Sequence, residues 1–590
     1  MNNISGKLYL FCLQSIRIIA LLLTGTLFLS GLLLTCFSTD MESQKVLTTW
    51  DNPLFTYLPT GLMCLIFCAA ADRISKGGLL SRRRLRLCVL GWCVITGIVQ
   101  ILFSKSVPAA DAYSVYSIAE SLAAGDTSVI DPVKSYLSYY PQQVGLVGFE
   151  EILIRIWNLT GIDEHAYHFI KIIYILLECI IILFQEKIVH TLWKDERTDC
   201  LYLLLAGTNC PLLMYTAFVY GEIPSFAAIS IAFYFLARLL TPDSASKLSG
   251  LPRIFVFSLG SLLFLTLSVM LRKNSLIFVI GVIIVLILWG IRRRKPYLPV
   301  LAILCAVCAM SILPCIQKYY ESRSGSTLRS GVPAMSYFAM GMQEGPRACG
   351  WYNGFNFNTY RDTGMDTAAT VDLSREAIHR RLDDFREAPG YAVHFYLQKY
   401  LSQWADGTFA CRQATLNTFG GRAPIFDTLY EGVNSKYLIA YCNLYQNMLY
   451  LGAFSFCLAP YFKKRFPASK TTNQKRSSSL ADAPESAEAT GLNGITDGTG
   501  GTCLPNTAAL DETNASPPVP AANQFELPAY LGLIVILGGF LFHMIWEGNS
   551  RYIFLYGLTM LPYTARGMVL LQNAASKVIS HSRTTPEEHG

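Results

Sequence analysis

Leu87 to Ser104 reads LCVLGWCVITGIVQILFS, and shortly after it Ala109 to Gly148 reads AADAYSVYSIAESLAAGDTSVIDPVKSYLSYYPQQVGLVG. The first stretch is a mostly apolar run close to the roughly 20 residues that cross a bilayer as helix. The second begins with an acid, Asp111, a few residues past the point where that helix leaves the bilayer. Behind the acid come an amphipathic segment, Tyr113 to Ala124, and an aromatic turn, Tyr136-Leu-Ser-Tyr-Tyr-Pro141. A carboxylate at a membrane surface, backed by a short helix and a Tyr/Pro turn, is more than a plain connection needs. The ordinary alternative is a helix cap, since Asp is a favoured N-cap residue.

Outward from this stretch the chain repeats the pattern of the first run. Of its 590 residues 52% are hydrophobic and only 15% charged. Apolar runs predict membrane helices at 16–37, 54–71, 87–105, 167–184, 201–219, 223–240, 255–271, 275–291, 297–316, 437–460, 528–546 and 552–571. The expectation is an all-α polytopic membrane protein with about 12 to 13 transmembrane helices. The run Ile16 to Phe37 has a long apolar core without a small-residue cleavage site, and reads as a retained helix rather than a signal peptide. The net charge of +7 does not point to nucleic acid, because the basic residues gather at helix ends.

Three basic clusters set the expected orientation. Arg73, Lys76, Arg82, Arg83, Arg84 and Arg86 precede the third helix; Arg292, Arg293, Arg294 and Lys295 follow the eighth; Lys463, Lys464 and Arg465 follow the tenth. The positive-inside rule makes all three cytoplasmic. Counting helices from these anchors places Asp111 outside and both termini in the cytoplasm of a multi-pass cell-membrane protein. Segment 142–160 then reads as a juxtamembrane or re-entrant helix on the outer face. It carries Glu150, Glu151 and Arg155, which are expensive at mid-bilayer. The alternative is that 142–160 spans and another helix does not.

The expected organisation follows. Residues 1–86 hold two N-terminal helices and a basic inner loop, and 87–316 a transmembrane core with outer loop 106–166. A large outer loop fills 317–436, with a helix from Ser374 to Ala388 showing a solvated, charged face. A further helix covers 437–460, an inner loop 461–527, two helices 528–571 and a polar tail 572–590. From Ser477 to Glu526 there are acids but no Lys or Arg and few aromatics, so 466–526 is expected to be disordered. Of 17 cysteines many lie inside apolar runs, among them Cys64, Cys68, Cys88, Cys93, Cys305 and Cys308. Cys349 and Cys411 fall in the large outer loop and are candidates to pair, a connectivity that sequence does not fix. There is no P-loop, no GxGxxG and no internal repeat.

Several charged residues fall on the expected outer rim. Besides Asp111 these are Glu222 in Tyr220-Gly-Glu-Ile-Pro224, Arg272 and Lys273, and Glu547 and Arg551 in Trp546-Glu-Gly-Asn-Ser-Arg-Tyr552. Arg347 and Trp351 stand in the Gly-rich part of the large loop, and Tyr139 and Tyr140 in the aromatic turn. Singly each has a plain explanation: basic side chains at helix ends snorkel, and Glu547 and Arg551, four apart, form a local ion pair. Together they suit one chemistry. Arg and Lys hold a lipid phosphate, a carboxylate takes a proton from an acceptor as it attacks an activated carbon, and aromatics stack on a sugar.

The chain resembles the GT-C integral-membrane glycosyltransferases, the superfamily that includes protein O-mannosyltransferases and the bacterial aminoarabinose transferase of lipid A. In detail it is similar to an uncharacterised Gram-positive branch. The stretches that carry the resemblance are Asp111-Ala-Tyr-Ser-Val-Tyr-Ser-Ile-Ala119, Tyr139-Tyr-Pro-Gln-Gln-Val-Gly145, Leu271-Arg-Lys-Asn-Ser-Leu-Ile277, Gly350-Trp-Tyr-Asn-Gly354, Gln403-Trp-Ala-Asp406 and Gly538-Gly-Phe-Leu-Phe-His-Met-Ile-Trp-Glu547 with Ser550-Arg-Tyr552. The resemblance implies a polyprenyl-phosphate sugar donor, an envelope acceptor (glycan, lipid or protein), inversion at the anomeric carbon, and Asp111 as the catalytic acid of the first outer loop. It makes Glu222 the candidate second acid, and Arg272, Lys273, Arg551, Glu547, Tyr139, Tyr140, Arg347 and Trp351 candidate donor contacts. Ala112 follows Asp111 where protein O-mannosyltransferases carry Glu, a departure from that subgroup. Some distant members use a divalent metal; the sequence shows no ligand cluster that requires one, and no cofactor is expected.

A second class of function is a transporter or flippase of a lipid-linked or small polar substrate. Transporters set polar residues at mid-membrane in broken helices and often show repeats. Here the helix interiors read as nearly free of ionisable groups, Glu178 being one exception, and the charges gather at the rim.

Overall fold

Ser81 accepts a hydrogen bond from Arg84 N through its side chain and so starts the helix Arg82–Ser104. Asn52 does the same for Leu54 N, with Pro53 at the first position of Pro53–Ser75. These capped apolar runs belong to a computed structural model that describes residues 2–77, 81–162, 166–241, 250–465 and 526–584. The protein is an all-α polytopic membrane protein. Each expected span is met by a helix, and the expected disordered segment, apart from Glu526, lies outside the described residues.

Among the described residues nine helices are long and apolar enough to cross a membrane, or ten if the bent pair Glu196–Gly207 and Cys210–Ala217 is one span. The expected count of 12 to 13 exceeds this for a physical reason. Ser435–Arg465 and Ser550–Thr584 turn polar side chains inward: Asn447 and Gln446 on one, Thr559 and Thr564 on the other, are buried. The last helix runs to Thr584, well past the expected end at 571. Large apolar side chains such as Leu58, Leu65, Ile303 and Met310 are exposed on the other spans, as a lipid-facing surface requires.

Three ionisable side chains are fully buried on one helix, Ala166–Trp193, where Glu178 alone had drawn notice. Lys171 Nζ donates to Ser106 O and Oγ at 2.6 and 2.7 Å. Thr216 Oγ1 donates to Glu178 at 2.7 Å. Glu186 accepts from Arg82 at 2.9 Å and from Arg86 at 2.5 Å. Two members of the basic cluster, Arg82 and Arg86, fall inside the helix Arg82–Ser104 and neutralise this buried acid.

The first helix ends at Leu33 instead of Phe37. Leu34–Ser38 (β1) pairs antiparallel with Val46–Trp50 (β2), and tertiary pairing overrides the helical reading of this Thr/Cys/Phe stretch. A second, two-residue pair joins Ser106–Val107 (β3) to Asn417–Thr418 (β4), just ahead of Asp111.

Segment 142–160 forms a 15-residue helix, Val144–Asn158, that is not among the candidate spans. Glu151 accepts from Tyr320 Oη at 2.5 Å and Arg323 Nη1 at 2.6 Å, while Glu150 is fully buried with no hydrogen-bond partner on either oxygen. The helix in the large loop starts at Thr367, earlier than expected, because Asp366 caps it by accepting from Ala368 N and Ala369 N. Its outward face carries exposed pairs such as Arg386–Asp383. Cys349 and Cys411 do not pair: both are free, and the buried Cys411 thiol lies 3.5 Å from Met214 Sδ.

Candidate functional site

Two glycines bring the site together. A Cβ at Gly145 would meet Met270 O at 2.1 Å, and one at Gly221 would meet Leu271 O at 2.7 Å. Both backbones therefore press on the end of Gly250–Leu271, which sets Tyr220-Gly-Glu222 beside Arg272. Arg272 Nη1 lies 2.5 Å from Glu222 Oε1, and Arg551 Nε lies 3.4 Å from the same oxygen. Rings frame the second guanidinium: Phe218 and Tyr220 at 5.4 Å and Tyr552 at 5.5 Å. Tyr220 is itself fixed, because Gln143 Nε2 donates to its hydroxyl at 2.5 Å and Tyr174 Oη donates to its carbonyl at 2.7 Å.

Asp111 is not the helix cap. Ala109 occupies that position without a side-chain bond, and Asp111 stands exposed in the first turn of Ala110–Ala123. A carboxylate there is favoured by the helix N-terminus. Asp111 and Arg551 line one small, solvent-open cleft. The cleft wall is strained. Gln44, Ala110 and Ala410, which line it, have φ of 51°, 48° and 58° without being glycine. Such residues cost of order 1–3 kcal/mol each and gather where function holds them.

Glu547 and Arg551 do not form the expected local pair. Arg551 turns to Glu222, while Glu547 accepts from Tyr552 Oη at 3.0 Å. Burial pushes Glu547 up to about 7, against the Tyr552 hydrogen bond and the Arg551 charge, with Asp111 adding to the rise. Burial likewise raises the hydroxyls of Tyr140 and Tyr352, with Asp111 and Glu547 contributing to both. These two half-buried tyrosines therefore stand in the field of both acids. The Arg347 guanidinium lies over the Tyr352 ring at 5.6 Å.

The other expected contacts are placed differently. Trp351 is 1% exposed and its Nε1 donates to Ser402 Oγ at 2.9 Å, so its ring is closed to a sugar. Tyr139 packs on Phe357 and Tyr360, with ring centroids 4.8 and 5.9 Å away. Lys273 is exposed on the turn after Arg272. Glu222, clamped by two guanidiniums and 1% exposed, does not reach the cleft.

Sequence reading missed Lys399. Its buried Nζ donates to Gly341 O at 2.5 Å and Trp546 O at 2.7 Å, which ties the Gly-rich loop to the Glu547 turn. Gly548 N donates to Gly350 O at 2.8 Å in the same seam. The signal was faint: a lysine four residues from Phe395 and Gln403, on the buried face of its helix. Tyr220, Tyr352 and Tyr552 flank singled-out residues, and Gln44 and Gln413 had no signal. Among the described residues no group of three or more His, Cys, Asp or Glu is placed to hold a metal.

Neither a protein-family model nor a curated protein matches the chain. Two solved structures of the oligosaccharyltransferase AglB from Archaeoglobus fulgidus are similar to it. One, in complex with an inhibitory peptide and a dolichol-phosphate, is 12% identical with a TM-score of 0.38 over 86% of this chain. The other, tethered to an acceptor peptide through a disulfide bond, is 13% identical with a TM-score of 0.38 over 83% of this chain. The chain spans about half the length of these structures, 53% and 50%.

Proposed function

We propose that the protein is a membrane glycosyltransferase that moves a sugar from a polyprenyl-phosphate donor to an envelope acceptor at the outer face. The observation that carries this reading is the single cleft lined by the Asp111 carboxylate and the Arg551 guanidinium. Two guanidiniums against the one Glu222 carboxylate leave a surplus positive charge at its edge. That charge suits a lipid phosphate, which Arg binds bidentately. Asp111 takes the proton of the acceptor as its oxygen bonds to the anomeric carbon. The bond from that carbon to the phosphate oxygen breaks, and the electron pair leaves on the polyprenyl phosphate beside Arg551. Tyr140 and Tyr352 offer ring faces for the sugar, and the lipid-facing helices receive the isoprenoid tail.

The test is release of polyprenyl phosphate from radiolabelled polyprenyl-phosphate hexoses by the protein in nanodiscs with envelope glycan as acceptor. Release that is lost in Arg551→Ala, with folding unchanged, supports the reading; wild-type release in that variant overturns it.

One observation favours a transporter or flippase instead. The buried Glu178 accepts from Thr216, which lies in a helix pair bent by 48°, and transporters place ion sites in broken helices. Passage of the labelled lipid across proteoliposomes without release, lost in Glu178→Gln, would establish that reading.

A further inference from the structure

The cleft of Asp111 and Arg551 has a wall supplied from far up the chain. Gln44, in the loop between β1 and β2, and Gln413, on the turn Cys411–Thr415, line it with them. Much of the remaining lining is small: Ala109, Ala410 and Ala414, with Phe218 as a ring. Gln413 Oε1 is buried and has no hydrogen-bond partner. An orphaned buried acceptor is unfavourable, and this one belongs to a side chain that lines the cleft, where a donor on a bound ligand satisfies it.

The hairpin that carries Gln44 is bound at several points. Cys36 N donates to Ala405 O and Val46 N to Arg347 O, both at 2.9 Å. Arg412 Nη1 donates to Ser38 O at 2.8 Å. Its tip is closed by Thr39 N to Lys45 O at 2.9 Å, by Asp40 accepting from Ser43 N at 2.5 Å, and by the buried Met41. This scaffold holds Gln44 at φ +51°, a conformation that a glutamine in a free loop does not keep. The N-terminal segment, which sequence reading sets outside the core, thus completes the site.

We propose that Gln44 and Gln413 form the acceptor subsite of this cleft and that the acceptor is a neutral carbohydrate, attacked through one of its hydroxyls. The proposal rests on the reading of Asp111 as general base given above. A primary amide offers two N–H donors and an acceptor oxygen, the complement of adjacent sugar hydroxyls, which both donate and accept. Among the described residues that line the cleft Arg551 is the one cation, and on the proposed reading the donor phosphate takes it, which leaves none for an anionic acceptor. The alanines leave the Phe218 ring beside them as a face on which a pyranose can stack. A peptide would be read through a row of backbone groups or deep side-chain pockets, and this wall presents side-chain amides. In the transfer the acceptor O–H proton goes to Asp111, the new bond forms from that oxygen to the anomeric carbon of the polyprenyl-phosphate sugar, and the phosphate leaves with the bonding pair.

Binding is measured without turnover, by saturation-transfer NMR on the full chain in nanodiscs. The probes are a mixture of methyl glycosides of glucose, galactose, mannose, N-acetylglucosamine and rhamnose, and separately an acetylated Ser/Thr peptide. At least one glycoside should receive saturation from the wild type. The transfer should fall at least fivefold in Gln44→Ala, which removes a side chain at a hairpin tip, and in Gln413→Met, which keeps the volume. Asp383→Ala, on the solvated face of Thr367–Glu387, should bind as wild type does. No glycoside bound by the wild type, or transfer unchanged in both Gln variants, overturns the proposal. Peptide saturation lost in the Gln variants, in place of glycoside, overturns it in favour of a peptide acceptor. Asp111→Asn separates the two readings: it should bind glycoside and fail to transfer sugar. Full transfer by that variant removes the base while leaving the binding result to stand or fall alone.

Discussion

Glu222 and Arg272 form a buried ion pair, Oε1 to Nη1 at 2.5 Å, with side chains 1% and 10% exposed. The geometry joins two residues to which sequence had given separate chemical tasks. A carboxylate engaged by Arg272 and by Arg551, away from the cleft, organises the cations, and under the proposed function Asp111 is then the acid that meets substrate. Breaking a buried pair costs about 3–5 kcal/mol, because the remaining charge is stranded. Glu222→Ala should therefore lower the melting temperature sharply, and the double change Glu222→Leu with Arg272→Met should recover only part of the loss, because Arg551 is still left without its carboxylate. A single variant as stable as wild type would show that the pair carries no structural load.

Asp111→Asn keeps size and hydrogen bonding but cannot take a proton. General-base assistance is worth about 10²–10⁴-fold in rate, so transfer should fall by that order while the melting temperature stays at the wild-type value. Side-by-side rates and melting curves for wild type, Asn and Ala forms decide it. An active Asn form would remove Asp111 from the chemistry.

Glu547 and Lys399 predict opposed pH slopes. Glu547 is raised from 4.5 to about 7 by burial, so its contribution to stability is full below about 4.5 and is lost as pH rises through about 7. Lys399 is lowered from 10.5 to about 7 by burial. Its contribution is full above about 10.5 and is lost as pH falls through about 7. Melting temperatures taken from about pH 5 to about pH 10 should dip near neutrality. Glu547→Gln should flatten the acid-side slope and Lys399→Met the alkaline side; slopes unchanged in both variants would refute the assignment.

Glu150 has neither oxygen satisfied, and burial holds its carboxyl well above the usual range. It binds a proton more tightly folded than unfolded, so stability falls as pH rises above the ordinary glutamate value. Glu150→Gln, neutral at every pH, should melt higher than wild type in mildly alkaline buffer and equal to it in acid. Destabilisation at both ends would point to an unrecognised partner for the carboxylate.

Orientation is open to chemical labelling. A cysteine placed at Asp383 should react with an impermeant thiol reagent in intact cells, and one at Lys295 should not. The reverse pattern would turn the molecule over in the membrane.

Apolar patterning was enough to set the class of fold, since the apolar runs from 54–71 to 552–571 meet helices, one of them, 201–219, as a bent pair. It also singled out Asp111, Arg551 and Glu547, because charged residues at the ends of apolar runs stand out against their surroundings. What it did not determine was who faces whom. That Arg551 turns to Glu222 and not to Glu547, that Trp351 is sealed inside, and that Lys399 ties Gly341 to Trp546 all depend on contacts across 50 to 330 residues of chain. Periodicity reports which face of a helix is apolar but not which neighbour meets it. The same holds for Gln44. Only the pairing of β1 with β2, and their bonds to Ala405, Arg347 and Arg412, bring that residue to the wall of a cleft whose acid lies 67 positions later. Long-range hydrogen bonds and close glycine contacts made that decision, and neither leaves a local mark in sequence.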